Sequence, residues 1–461
     1  MFYSSKNRGN MGRFYHFRSR SVSTAQTPSS GSPKVNCTGL GIGTWGLIGT
    51  WSLGAWNLLK MDRFLSRTEI AVILLYLFSG LVHTTIAPGA FDGLVHLRIG
   101  PLVLAPPLVL SGDSPHYLVS VNSLVEDGDF DLANNYQQAE QGDWDLGARF
   151  RGVQIDHHAD RDRLGRERGT HSPFFALLLA AVTWPFRGTA WVEPVCIWMT
   201  QIVTLAGLLL LGRRWSLGSP WLLALALATP LWCYSRDLWT EPWVTSIWIV
   251  MLHCRGPAAA SLLGFLGALL KYPFAVVPIA MGCVAIWEKR LKDGCALIAS
   301  GALALIVTVL SVGYLFREVD HFSFFHSGSH LGLDWPFDGT LGLLLSPSKG
   351  ILWFFPFLAW GLWELRRRKS ISIYVPLMAF FLLHAFYEEW QAGTGLAGRY
   401  LVPTLPLLVM AVARSLPQGV LFRASLVWSA LWGMLAGLLP ALVQDRNPWQ
   451  VVTHVVDKLF P

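Results

Sequence analysis

From residue 173 to residue 440 the chain is a succession of apolar runs separated by a few polar residues. The approximate limits are 173–186, 191–211, 219–234, 239–254, 258–270, 273–287, 295–316, 341–363, 372–387, 401–413 and 420–440, with one more at 70–87. Backbone that enters lipid must satisfy its own hydrogen bonds, so such runs are restricted to helices. Several are short or interrupted by proline, and the set predicts roughly 10–12 crossings of about 20 residues each. Composition agrees. Of 461 residues, 52% are hydrophobic and only 14% charged, against about 25% charged in a soluble domain. Mean hydropathy is +0.42. The 22 Trp and 26 Phe suit rings that settle at membrane–water interfaces. An integral membrane protein is expected; a soluble α/β enzyme, a disordered chain and a nucleic-acid module are excluded.

The formal net charge of +7 is carried by one end of the chain. Residues 1–60 hold seven basic residues and no acid, so the remaining chain balances at 29 against 29. This leader is rich in Ser, Gly and Thr, and acid-poor, Ser-rich termini are typical of transit peptides. Met61 also opens an ordinary membrane-protein start, MDRFLSRTE followed by an apolar span. The expectation is a disordered leader or mis-called start over 1–60, a transmembrane domain over 61–440 and a C-terminal tail over 441–461. The six cysteines are scattered, mostly within apolar runs, without the spacing of a disulfide framework or zinc site.

Arg63 and Arg67 precede the first span, which by the positive-inside rule places the N-terminus in the cytoplasm and the following segment outside. Residues 94–110 are apolar but carry Arg98, Pro101, Pro106 and Pro107, and read as an interfacial or re-entrant piece, with a second crossing as the alternative. Residues 111–172 form the longest polar stretch and hold 12 of the 29 acids, acidic in the first half and Arg-rich in the second. Polar connections of this length are functional or disordered. The spacing of Tyr117, Val121 and Leu124 predicts a folded extracytoplasmic loop. Arg366, Arg367, Arg368 and Lys369 mark a cytoplasmic end. No internal repeat is visible, which argues against a transporter built from two halves.

The segment GDSPHYLVSVNSLVEDGDFDLANNY, residues 112–136, concentrates the candidate chemistry. A partly desolvated carboxylate beside the membrane gains proton affinity and can serve as a general base. Asp113 is the first candidate. An alternative is an N-cap for a helix starting near Pro115. Asp129 and Asp131 are the fallback acids, though with Asp127 they also read as a solvated turn. Buried isolated cations are functional by default in a membrane chain, which singles out Lys271 and Arg399, with Tyr272 and Tyr400 beside them. Snorkelling to a headgroup is the plain alternative for both cations, and more so for Lys349. Arg236, Asp237 and Glu241 read as an ion-pair cluster at the membrane edge. His157, His158, His321, His326 and His330 lack the companions of a metal site, and no metal or cofactor is expected.

Five elements in order carry a resemblance. The 112–136 segment resembles the first extracytoplasmic loop of GT-C fold membrane glycosyltransferases, in particular bacterial relatives of protein mannosyltransferases and lipid A aminoarabinose transferases. Thr170-His171-Ser172-Pro173 resembles the His-x-Pro that opens their second span, and Trp239-Thr240-Glu241-Pro242 a Tyr-Pro-Glu element. Ser346 to Trp353, SPSKGILW, and Trp390 to Pro403, WQAGTGLAGRYLVP, resemble later elements of the same family. One departure is Ser114, where the family often carries a second acid, so paired adjacent carboxylates are missing there.

The resemblance implies an all-α, GT-C type bundle in the membrane, of bacterial inner-membrane location. It implies transfer of a sugar from a polyprenyl-phosphate donor to an acceptor hydroxyl of a glycan, lipid or protein, with inversion. Asp113 would be the base. Lys271, Lys349 and Arg399 would hold the phosphate, with His116, Tyr117, His171, Tyr272 and Tyr400 around the substrates. The absence of a Walker A or Gly-rich nucleotide motif agrees with a lipid-linked donor. The rivals are a transporter or lipid flippase, and a non-catalytic scaffold. Convergence of Asp113, Lys271 and Arg399 on one cavity open to the bilayer separates the first reading from these.

Overall fold

A computed structural model describes residues 65–459 except 84–93, 100–101, 110–111, 142–158, 163, 170, 216, 317–335, 369, 388–389, 392–394, 416 and 439–447. The leader, Arg63, Thr170, Lys369 and the five histidines just named lie outside the described residues. So do residues 441–447 of the proposed tail.

The architecture is helical. Helix α1, Arg67–Ser79, starts at a capping box in which Ser66 and Glu69 satisfy each other's backbone N–H groups. Glu69 also receives Arg213 at 2.8 Å, tying α1 to the end of α5, Val192–Arg214. Among the described residues, three helices are long and apolar enough to cross a membrane: Val192–Arg214, Leu291–Val312 and Val420–Leu438. Shorter apolar helices run over Pro173–Phe186, Pro257–Leu270, Tyr272–Trp287 and Ile371–Ala385. On the helix beginning at Leu291, Leu303, Ile306 and Leu310 are each more than half exposed. Such an apolar stripe is a liability in water and an ordinary surface in lipid. Close helix contacts use missing side chains, as is usual in membranes. A Cβ on Gly282 would lie 2.6 Å from the Gly294 carbonyl oxygen, and one on Gly294 would lie 2.7 Å from that of Gly282.

Among the described residues, two small sheets accompany the helices. Strands β1 (Val82–His83), β2 (Leu97–Ile99) and β3 (Leu102–Leu104) form an antiparallel sheet in the order β1-β3-β2. The segment expected to lie at or re-enter the membrane thus contains two short strands, Leu97–Ile99 and Leu102–Leu104, and no described helix. Proline cannot donate to a helix ladder, and three prolines with Arg98 leave too little uninterrupted sequence for a helix. Leu94, Val103, Ala105 and Leu108 instead form a small apolar cluster against Ala190 and Trp191, and buried Glu193 accepts from the Val109 amide. Strands β4 (Ala159–Arg161) and β5 (Glu167–Gly169) make a hairpin in the polar loop.

Several apolar runs are broken into pieces. The run at 219–234 is two helices, α6 (Ser219–Leu227) and α7 (Leu231–Ser235), parted at Pro230. The run at 341–363 falls into α12 (Pro336–Leu345), α13 (Ile351–Phe354) and α14 (Leu358–Arg368), parted around Pro347, Gly350 and Pro356. Irregular backbone inside a membrane protein is tolerated where protein surrounds it or a cavity receives it. The candidate site is built on such breaks.

Candidate active site

Four charged side chains from four distant segments meet in one buried cluster. Glu241 Oε1 accepts from Lys271 Nζ at 2.7 Å and from Arg399 Nε at 2.9 Å, and Arg399 Nη2 donates to Asp113 Oδ2. Side-chain exposure is 0% for Glu241, 5% for Arg399, 11% for Lys271 and 20% for Asp113. Two cations and two carboxylates sum to zero formal charge, which is how ions survive burial.

Each charge sits at a helix end or break. Helix α2, Ser114–Asn122, begins after Gly112 at φ +64, with Asp113 at its N-cap and Pro115 in its first turn. The Asp113 side chain makes no capping hydrogen bond; its carboxylate goes to Arg399. Helix α8, Thr240–His253, carries Glu241 in its first turn after extended Trp239. Helix α9, Pro257–Leu270, ends at Lys271, whose extended backbone leads into a 3-10 turn over Tyr272–Ala275 containing Pro273. The acids thus stand at helix N-termini and the lysine at a helix C-terminus, the arrangement the helix dipole favours. Arg399 opens a 3-10 turn, Arg399–Thr404, behind Gly398 at φ +73.

Aromatic rings and backbone bonds fix the cations. The Arg399 guanidinium lies 4.1 Å above the Trp239 ring, and Tyr400 lies 5.4 Å from Lys271 Nζ and 5.6 Å from the Arg399 guanidinium, in cation–π range. Tyr234 donates to the Leu396 carbonyl at 2.5 Å. Lys349 Nζ donates to the Gly395 carbonyl at 3.0 Å, while the Lys349 carbonyl accepts from the Gly398 amide at 3.0 Å. These contacts of Lys349, expected at the phosphate, secure the segment that presents Arg399. The missing Cβ of Gly398 matters here, since it would lie 2.8 Å from Ile351.

The loop supplies a second layer. Tyr117, one turn beyond Asp113, packs against His171 with tilted rings 4.7 Å apart and meets Phe175 edge-on at 5.0 Å. His116 Nδ1 bonds the Tyr136 hydroxyl at 2.8 Å. Ser172 donates to the Leu269 carbonyl at 2.6 Å, pinning the end of the loop to α9 two residues before Lys271. Tyr272 follows Lys271, half-buried in its turn. The expected upward shift of the Asp113 pKa is reversed. Burial alone pushes its carboxyl up, but Arg399, with His171 and Lys271, holds it well below the usual carboxylate range.

Asp129 and Asp131 are engaged elsewhere. Asp129 Oδ1 accepts from the Asp131 amide at 2.8 Å, and Asp131 Oδ1 from the Glu167 amide at 3.1 Å. Asp127 receives the side-chain amides of Asn134 and Asn135. These acids build the loop and tie its acidic half to the β5 strand. The expected Arg236–Asp237–Glu241 cluster is also redrawn. Arg236 donates to the carbonyls of Gly437 and Val82, and Glu241 turns to Lys271 and Arg399. Glu241 is the residue that sequence reasoning undervalued; an acid in the first turn of an apolar helix, flanked by tryptophans, was the available signal.

A small apolar crevice of about 20 Å³, room for about one water, borders the Arg399 turn, lined by Ile351, Leu377, Leu401, Thr404 and Leu408 among others.

No protein-family model and no curated protein matches the chain. Among solved structures, it is similar to the crystal structure of ArnT from Cupriavidus metallidurans bound to undecaprenyl phosphate. That similarity has a TM-score of 0.45 and 14% sequence identity, covering 88% of this chain and 73% of the other.

Proposed function

We propose that this chain is a GT-C type glycosyltransferase of the bacterial inner membrane. It takes a sugar from a polyprenyl-phosphate donor and transfers it to an acceptor hydroxyl on the extracytoplasmic side. The observation that carries the reading is the buried pairing of Lys271 and Arg399 through one carboxylate, with Asp113 at the more exposed edge. Arg is suited to bidentate phosphate contact and Lys to a point charge. The ordered motifs of the sequence supply the residue types, and their convergence favours a single reaction site over a transport path or an inert scaffold.

The reaction is a single displacement. The acceptor oxygen attacks the anomeric carbon as the bond from that carbon to the phosphate oxygen breaks, and the electron pair leaves with the phosphate. Lys271 and Arg399 bear the charge that develops there. The acceptor proton passes to Asp113, and configuration at the anomeric carbon inverts. His171 and Tyr117, packed on each other beside Asp113, line the acceptor side. The test is to reconstitute the full chain with a panel of labelled polyprenyl-phosphate sugars. Sugar transfer or donor hydrolysis by the wild type supports the reading; intact donor with every member of the panel opposes it.

A further inference from the structure

The two carboxylates of the cluster are not equivalent. Glu241 is fully buried and its Oε1 serves both Lys271 and Arg399. Asp113 contacts Arg399 through Nη2 and keeps a fifth of its side chain exposed. An anion arriving from outside therefore meets Arg399 where Asp113 already sits. Charge gives the same answer. The cluster is neutral, so an added phosphodiester would leave a buried net negative charge, which is costly. A phosphodiester that replaces Asp113 on the guanidinium leaves that count unchanged.

We propose that Asp113 occupies, in the free protein, the place on Arg399 that the phosphate of the donor takes, so that donor binding releases the Asp113 carboxylate toward the acceptor. Glu241 stays in place and keeps the two cations together. This inference rests on the phosphate reading of Lys271 and Arg399. Release needs no unfolding. The side chain of Asp113 caps nothing, and its backbone carbonyl, which accepts from the Tyr117 amide at 3.0 Å, can remain where it is while the carboxylate rotates. Release also resolves a tension in the resting site, where the guanidinium that holds Asp113 suppresses its affinity for a proton. Once phosphate has taken Arg399, the carboxylate recovers that affinity with the donor in place.

The test measures binding of radiolabelled undecaprenyl phosphate and of the neutral alcohol undecaprenol to the full chain in nanodiscs. Asp113→Asn and Asp113→Ala are each expected to bind undecaprenyl phosphate on the order of tenfold tighter than wild type, within the range for coupled sites. Their affinity for undecaprenol should not change. Asp127→Asn, which removes an exposed loop charge, is the control for general electrostatics and should bind like wild type. The inference is overturned if both Asp113 variants bind the phosphate lipid as wild type does or more weakly. It is equally overturned if they gain as much for undecaprenol, or if Asp127→Asn gains as much as they do. A wild type that binds both lipids equally instead removes the phosphate reading itself.

Discussion

Lys271 and Glu241, 30 positions apart, meet at 2.7 Å, and the oxygen that receives Lys271 also receives Arg399 at 2.9 Å. One carboxylate oxygen thus holds two cations side by side within a buried site. Removing one partner of a buried ion pair strands the others and typically costs about 3–5 kcal/mol. Glu241→Ala should therefore lower the thermal unfolding midpoint in detergent and abolish donor binding. The double variant Glu241→Gln/Lys271→Met should recover much of the stability without recovering transfer. An unchanged midpoint in Glu241→Ala would show that the bridge does not hold the site.

Gly398 sets the path of the chain into Arg399. An alanine there must adopt φ +73 and push against Ile351, at a cost of about 1–2 kcal/mol for the left-handed backbone alone. Gly398→Ala should raise the donor KM through displacement of Arg399. Adding Ile351→Ala, which makes room for the new methyl, should recover part of the loss. Donor KM at the wild-type value in Gly398→Ala would disconnect this turn from the phosphate.

The loop hairpin carries a pH signature. Burial pushes the Asp162 carboxyl up, but the backbone amides of Arg166 and Leu164 and the side chains of Arg166 and Arg168 outweigh it and hold it low. A value depressed in the folded state contributes stability above the unfolded carboxylate pKa and loses it as pH falls through the folded value. Hydrogen exchange across 159–169 should stay protected from pH 8 to about 5 and rise only below about 4. Asp162→Asn should open the hairpin at neutral pH. Loss of wild-type protection between pH 7 and 5 would contradict this account of the hairpin.

Orientation is open to direct labelling. Gln137 lies exposed on the α3 helix, Ala133–Gln141, of the polar loop, and Arg366 is exposed near the end of α14. In a background with Cys283 and Cys295 replaced by serine, Gln137→Cys should react with an impermeant thiol reagent in intact cells. Arg366→Cys should react only after permeabilisation. The reverse pattern would place the loop in the cytoplasm.

Much of this was legible from residue types, because charge in an apolar run is conspicuous. Asp113, Lys271, Arg399 and Tyr400 stood out, and the structure brings them together. The pairing was not legible. Glu241 finds partners 30 and 158 positions away, and its sequence neighbours Arg236 and Asp237 suggested a local cluster. The small sheet was missed because β1 and β3 pair across about 20 residues in strands of two and three residues, too short for alternation to show. The contact of Lys349 was not legible either: its amine reaches the Gly395 carbonyl, 46 positions away, and braces the segment before Arg399.

The central claim is that Asp113 receives the acceptor proton in a transfer from a phosphate-linked donor. Removing a general base typically slows chemistry about 10²–10⁴-fold, whereas binding does not require it. The direct measurement is single-turnover transfer from a labelled polyprenyl-phosphate sugar, with wild type and Asp113→Asn both saturated with donor. The account predicts transfer by the wild type, and a variant that binds donor at least as tightly yet transfers slower by that factor. Transfer by Asp113→Asn at the wild-type rate would contradict it, as would movement of the intact donor across the vesicle membrane without cleavage.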